Sequence, residues 1–253
     1  MGVVNITPDS FSDGGRFFRA DAAIAQARKL AEEGAHIVDV GGESTRPGSA
    51  AVSEHEELDR IMPVLEQLRD LCVSVDTRRP AVMKAALDAG ASMINDIQAL
   101  QAPGAHDAVR ERKCAVCLMH MKGEPATMQQ APHYDDVVGE VKAFLQERVA
   151  QAEAAGIARE RLVVDPGFGF GKTAAHNLIV LKHLRTMDFG VPLVAGLSRK
   201  STIGRITGRP ADERLAGSLA MALLALQGGA KILRVHDVRE TKDVVAVWEA
   251  VNT

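Results

Sequence analysis

Short runs of β-branched and apolar residues recur along the chain: Val3-Val4-Asn5, Ile37-Val38-Asp39-Val40, Val73-Ser74-Val75-Asp76, Met93-Ile94-Asn95-Asp96, Val116-Cys117-Leu118-Met119, Leu162-Val163-Val164-Asp165, Leu193-Val194-Ala195-Gly196 and Ile232-Leu233-Arg234-Val235. Runs so short and so apolar predict parallel strands buried on both faces. Helical patterns lie between them. Leu58, Ile61, Met62, Leu65 and Leu68 follow a Ser53-x-x-Glu56 capping box, and Leu215, Leu219, Leu223 and Leu226 repeat at helical spacing further on. The strand ends recur on average near the roughly 30 residues of one strand–helix crossover unit. Eight such units fill residues 1–253 with no linker left over, which predicts an α/β fold: a (β/α)8 (TIM) barrel in a single domain. An open doubly wound sheet is the alternative, but no G-x-G-x-x-G follows the first strand.

Composition narrows the function. Thirty Lys and Arg face 33 Asp and Glu, a formal charge of -3, and 46% of the 253 residues are apolar, which excludes a disordered chain. A duplex nucleic-acid binder needs a broad basic surface, and one Trp with one Tyr makes no stacking platform, so no nucleic-acid partner is expected. The most apolar stretch, Leu215 to Leu226, is broken by Gly217 and Ser218 and falls short of the roughly 20 residues that cross a bilayer. No membrane span is expected, and Met-Gly-Val-Val-Asn-Ile-Thr-Pro at the start does not read as a secretory leader. Cys72, Cys114 and Cys117, odd in number, predict reduced thiols in a cytoplasmic protein. Cys114 and Cys117 lie three apart on a strand, so they face opposite sides and read as buried structural thiols.

In a barrel of this kind, reactive groups gather at the C-terminal strand ends and the loops beyond them. The polar residues fall there: Asn5, Asp39, Asp76, Asn95 with Asp96, Asp165, and Arg234 with His236, while Lys200 follows the seventh strand in Ser198-Arg-Lys-Ser201. Alternation puts Arg234 with His236, Val3 with Asn5, Ser74 with Asp76, and Val163 with Asp165 on shared faces. Asp96 and Ser201 suit helix capping equally well. Capping does not explain the cations. Lys200, Arg234, Arg46 and Arg199 at one apolar mouth would repel one another, which points to a phosphorylated substrate. Two glycine-punctuated loops, 7–15 and 41–48, read as lids over that mouth. The segment Gly167-Phe-Gly-Phe-Gly-Lys-Thr173 ends like a P-loop, but Pro166 stands where its first glycine belongs. It reads instead as a tight turn bringing Phe168 and Phe170 to the site. His55, His106, His133, His176 and His183 show no ligand spacing, His120 is open between structural and functional roles, and Trp248 reads as packing.

Eight segments together resemble the dihydropteroate synthase family: Asn5-Ile-Thr-Pro-Asp-Ser-Phe-Ser-Asp-Gly-Gly15, Asp39-Val-Gly-Gly-Glu-Ser-Thr-Arg-Pro-Gly48, Ser74-Val-Asp-Thr77, Ile94-Asn-Asp96, Leu118-Met-His120, Asp165-Pro-Gly-Phe-Gly-Phe-Gly-Lys172, Ser198-Arg-Lys-Ser201 and Arg234-Val-His-Asp237. The resemblance implies a Mg2+-dependent transferase of folate biosynthesis. It would join 6-hydroxymethyl-7,8-dihydropterin pyrophosphate to p-aminobenzoate, releasing pyrophosphate by a dissociative step, with sulfonamides occupying the p-aminobenzoate subsite. It also implies roles. Asp76, Asn95, Asp165, Lys200 and Arg234 would bind the pterin, the first four of them forming the catalytic set. Asn5, Thr45, Arg46, Arg234 and His236 would surround pyrophosphate, with Asn5 on the metal and with Arg234 and His236 acting as cations. Thr45, Arg46, Pro47, Phe170, Lys200 and Ser201 would line the p-aminobenzoate side. A homodimer is implied as well.

That chemistry suits the residues. A carboxylate at Asp76 stabilises the cation left when pyrophosphate departs. The arylamine is already a neutral nucleophile, so no Ser-His-Asp or Cys-His arrangement is required. Two departures stand out: family members carry a leader with a small hairpin before the first strand, and Gln98 occupies a position where relatives often have Arg or Ser. The alternatives are a related barrel passing a methyl group from methyltetrahydrofolate to a corrinoid protein, and a pterin-binding module without catalysis. The first requires neither Ser44-Thr-Arg-Pro47 nor Arg234-x-His236, both present here, and turnover separates the second.

Overall fold

The structure is a computed structural model describing residues 1–6, 16–44, 49 and 51–252, with the backbone alone at 16–19. Among the described residues, strands and helices alternate: β1 (Gly2–Asn5), α1 (Arg16–Glu32), β2 (Val38–Gly41), α2 (Glu54–Gln67), β3 (Val73–Asp76), α3 (Pro80–Asp88), β4 (Met93–Asp96), α4 (Ala105–Val109), β5 (Ala115–Met119) and α5 (Val137–Ala154). Then come β6 (Leu162–Asp165), α6 (Ala174–Lys182), β7 (Val194–Ala195), α7 (Ser201–Thr207), α8 (Leu215–Gln227), β8 (Ile232–Leu233) and α9 (Val238–Asn252). Strands β1 to β6 pair in chain order, as do β7 and β8, all in parallel. Parallel bridges Val164–Leu193 and Gly2–Val235 join the two pieces. At these seams Val164 N–H donates to Pro192 O at 3.0 Å and Val3 N–H to Val235 O at 3.1 Å. The ring therefore closes, and the doubly wound alternative is excluded.

Pleating sorts the strand residues between two compartments. Met93, Cys117, Val163 and Val194 pack with Met1, Ile37, Ala115 and Ile232 to form the floor inside the barrel. Val4, Val38, Val40, Val73, Val75, Ile94, Val116, Leu118, Leu162 and Val164 face outward and join the helices in the larger core. On several strands the inward series climbs from an apolar floor to a polar rim. On β6 it is Val163 then Asp165, and on β4 Met93 then Asn95. Cys114 belongs to the outer core and Cys117 to the inner one, as their spacing predicted.

Helix α2 forms behind Ser53, whose side chain accepts from Glu56 N–H, and it buries Ile61, Val64 and Leu65. Trp248 packs against the outer core. Helix α8 differs from its leucine pattern. It buries Ser218, Met221, Ala222, Ala225 and Leu226 and leaves Leu215, Leu223 and Leu224 exposed. Small side chains let this helix lie close to the barrel, and Ser218 Oγ accepts from Arg199 N–H at 3.0 Å.

Candidate active site

Asp76, Asp165 and, one residue short of its strand end, Asn95 face inward at one mouth, with Arg234 just beyond β8; Asp39, expected at a strand end, lies two residues below the end of β2, level with Ser74. The Arg234 guanidinium binds two carboxylates, Nε to Asp39 Oδ2 at 2.7 Å and Nη2 to Asp76 Oδ2 at 2.9 Å. Asn95 Nδ2 donates to the same Asp39 oxygen at 3.2 Å. Asp39 was visible in sequence as a strand end, but its place as the hub of the cluster was missed; its parity with Ile37 carried the signal. Asp39 Oδ1 and Ser74 Oγ, both buried, have no hydrogen-bond partner among the described residues. Burial raises the Asp76 carboxyl to about 7, with Arg234 drawing it back down. Asp165 is also raised by burial, opposed by the Gly167 N–H that donates to its Oδ1 at 2.7 Å and by Lys200. For Arg234, burial pulls the other way but the two carboxylates outweigh it, holding the guanidinium above its ordinary value.

Glycine opens the mouth between these groups. A Cβ at Gly41 would lie 3.4 Å from Asp76 Cβ, and one at Gly196 would lie 3.7 Å from Asp165 Oδ2. The mouth thus gathers three buried carboxylates around one partly buried guanidinium. Lys200 reaches in from the connection after β7, its Nζ 4.4 Å from the centre of the Phe170 ring. Ser201, exposed, begins α7 beside it. Phe168 differs from expectation: it is 2% exposed in the outer core and does not approach the mouth.

His236 follows Arg234 on the same face, with Nδ1 3.1 Å from Ser198 Oγ. Burial, with Arg234, Arg199 and Lys200 nearby, pushes the imidazole down to about 4, so at neutral pH it is uncharged rather than the expected cation. Arg199, also counted among the anion-seeking cations, pairs instead with Asp237, its Nε donating to Oδ2 at 3.1 Å. Asp96 points outward and serves its own turn, accepting from Gln98 N–H and Leu100 N–H, both at 2.8 Å. Gln98 lines a groove beside the mouth with Ile97, Met121 and Phe144.

Sequence reasoning also missed the stem of the loop after β2. Glu43 accepts from Arg79 Nη1 and Nη2 at 3.1 and 3.0 Å, from Arg78 Nε at 3.2 Å and from Val52 N–H at 3.2 Å. Arg79 also pairs with buried Glu57. Burial raises Glu43, but the two arginines together hold it below the usual carboxylate range. Thr45, Arg46 and Pro47, and most of both expected lids, lie outside the described residues.

A closed parallel barrel whose C-terminal mouth carries this Asp–Asn–Asp–Lys–Arg set matches what the resemblance implies for a pterin-binding barrel. A family model described as "Pterin binding enzyme" matches residues 1–236. The dihydropteroate synthase of Haemophilus influenzae is 51% identical over 99% of this chain and 92% of its own. Two solved structures of the Xanthomonas albilineans dihydropteroate synthase superpose on the whole chain. One, with 4-aminobenzoic acid, is 56% identical with a TM-score of 0.95 over 92% of that chain. The other, in complex with 7,8-dihydropteroate, is 53% identical with a TM-score of 0.90 over 93% of that chain. The chain belongs to the pterin-binding enzymes, within the dihydropteroate synthase family.

Proposed function

We propose that this mouth makes 7,8-dihydropteroate from the dihydropterin pyrophosphate ester and p-aminobenzoate. The observation that carries the reading is the convergence of the buried carboxyls Asp39, Asp76 and Asp165 with Arg234 at the top of an apolar barrel. Such a pocket suits a ring edge rich in N–H donors, and a reaction in which the bound ring becomes more positive. Asp165 accepts from that edge, Asn95 both donates and accepts, and Lys200 donates to a ring acceptor. As the carbon–oxygen bond to pyrophosphate breaks, Asp76 stabilises the exocyclic methylene cation. Arg234 and the neutral His236 donate to the departing anion, and the arylamine nitrogen, resting near Phe170, Lys200 and Ser201, attacks the methylene. Thr45, Arg46 and Pro47 are assigned to the anion and arylamine side by the family resemblance.

Among the described residues, no group of three or more His, Cys, Asp or Glu side chains could hold a metal unaided. Asn5, at the end of β1, would offer an amide oxygen to a magnesium ion otherwise held by water and diphosphate oxygens. When bound, the ion would neutralise charge on the leaving group. The exposed Leu178 and Ile179 on α6, Ile206 on α7 and Leu215, Leu223 and Leu224 on α8 support self-association as a homodimer. The cysteines, all free among the described residues, support a cytoplasmic setting, and no described helix is long and apolar enough to cross a membrane.

The test is turnover: the ester, p-aminobenzoate and Mg2+ are supplied, and pyrophosphate and dihydropteroate are followed. Pyrophosphate release that tracks dihydropteroate and requires the arylamine is expected. Binding without turnover, or methyl transfer from methyltetrahydrofolate, would overturn the reading.

A further inference from the structure

Lys172 ends the segment that imitates a P-loop, and the reaction above gives it no task. Its side chain is 2% exposed. Nζ lies 3.0 Å from Gly167 O, 3.2 Å from Phe170 O and 2.8 Å from His120 Nδ1. An ammonium carries three protons and no lone pair, so three acceptors meet it one for one. His120 is set to accept, because burial and then Lys172 push its imidazole down to about 3, leaving a neutral ring. Among the described residues, no carboxylate forms a direct ion pair with Lys172, and Asp165 acts on it only at longer range. Burial lowers the Lys172 ammonium to about 7, against the pull of the Asp165 charge; a buried amine without a directly paired carboxylate is costly, and an apolar side chain of similar length would fill the space more cheaply. The amine is therefore better explained by the site than by the stability of the fold.

The two carbonyls it holds belong to a backbone path that only glycine follows easily. Gly167, Gly169 and Gly171 have φ of 68°, 81° and 61°. A Cβ at Gly167 would lie 1.8 Å from His120 O, and one at Gly171 would lie 2.2 Å from Lys122 O. The turn is thus pressed against the connection after β5, where the Tyr134 hydroxyl also donates to Gly171 O at 2.9 Å. Its other side faces the mouth, with Gly167 N–H on Asp165 and the Phe170 ring under Lys200.

We propose that Lys172 is a positioning residue: without touching substrate, its ammonium ties the Gly167 and Phe170 carbonyls to His120 and so sets Phe170 against Lys200 on the arylamine side of the mouth. The proposal rests on the reading that Phe170 lines the p-aminobenzoate subsite. It is tested by steady-state kinetics on Lys172→Met, His120→Leu, His120→Asn and Phe170→Ala, varying p-aminobenzoate at saturating ester, with ester affinity measured by calorimetry and folding by thermal melts. Lys172→Met and His120→Leu are expected to raise KM for p-aminobenzoate by roughly 10- to 100-fold, since a displacement of an ångström at a reacting centre has effects of that size. Ester affinity should change by less than about threefold, because Asp165 is fixed by the β6 ladder and not by the turn alone. His120→Asn, whose amide oxygen replaces Nδ1 as an acceptor, should restore KM to within about threefold of wild type.

A KM for Lys172→Met within about twofold of wild type would overturn the proposal. So would equal damage from His120→Asn and His120→Leu, or parallel losses of ester affinity and melting temperature, which would mark a purely structural lysine. If Lys172→Met does not fold, the His120 pair decides the question alone. Should Phe170→Ala leave KM unchanged, the subsite reading fails and takes the proposal with it. Should Phe170→Ala raise KM while Lys172→Met does not, the failure is that of the lysine clip alone.

Discussion

Arg234 is the counter-charge of two buried carboxylates, and Arg234→Met removes it while keeping much of its volume. Its nitrogens lie 2.7 Å from Asp39 and 2.9 Å from Asp76, carboxylates that are 0% and 8% exposed. Taking away one partner of a buried pair costs about 3–5 kcal/mol. In a domain of this size that corresponds to a fall in melting temperature of roughly 6–20 °C. The loss should depend on pH, and the sign follows from Asp76. Its carboxyl is raised from 3.8 to about 7, so the folded chain binds that proton more tightly than the unfolded chain. Its contribution therefore favours folding at low pH and is lost as pH rises through that window. Without Arg234 the carboxyl rises further and its penalty at neutral pH grows. Thermal melts of both proteins followed by circular dichroism, at about pH 5 and about pH 8, should show the smaller deficit at the lower pH. A deficit equal at both, or a melting temperature matching wild type, would refute the claim that Arg234 neutralises this cluster.

Asp165→Ala should abolish pterin binding in a calorimetric titration, and near-native affinity would remove Asp165 from the ring edge. His236→Ala should weaken binding of the pyrophosphate ester by roughly tenfold or more while sparing the pterin alcohol, since it removes a hydrogen bond to a charged group; equal effects would count against an anion role. Gly167→Ala places a Cβ 1.8 Å from His120 O and should cost more than about 2 kcal/mol, whereas Gly208→Ala, at φ +72° with open space around it, should cost about 1 kcal/mol; chemical denaturation checks the contrast. Ile179→Glu with Leu224→Glu should halve the mass seen by sedimentation if α6 and α8 form the dimer contact, and an unchanged mass would place that contact elsewhere.

Much of this was legible in the sequence because a barrel strand announces itself twice, by its apolar run and by the polar residue that ends it. Val163 and Asp165 needed only strand alternation to be placed on one inner wall, and Cys114 and Cys117 only the same rule to be placed on opposite ones. What alternation does not encode is partnership across the ring. Asp39 joins Arg234 and Asn95 because closure brings β2, β4 and β8 around one axis, and no local pattern contains that distance. The charge of His236 was misjudged for a similar reason: residue type suggested a cation, while burial beside Arg234 makes the ring neutral. On α8 the leucines suggested the buried face, yet alanines and Ser218 allow the closer approach. Lys172 was noticed only as the end of a motif, since two of its three acceptors are set by a glycine backbone and the third lies across the barrel wall on His120.

A crystal structure with a dihydropterin analogue and pyrophosphate bound tests the central claim most directly. The pterin edge should lie on Asp165 and Asn95 with its ring above the Asp39–Arg234 pair, and the anion should reach Arg234, His236 and Asn5. A ring seated instead in the neighbouring groove of Ile97, Gln98 and Phe144, or an anion remote from Arg234, would contradict it.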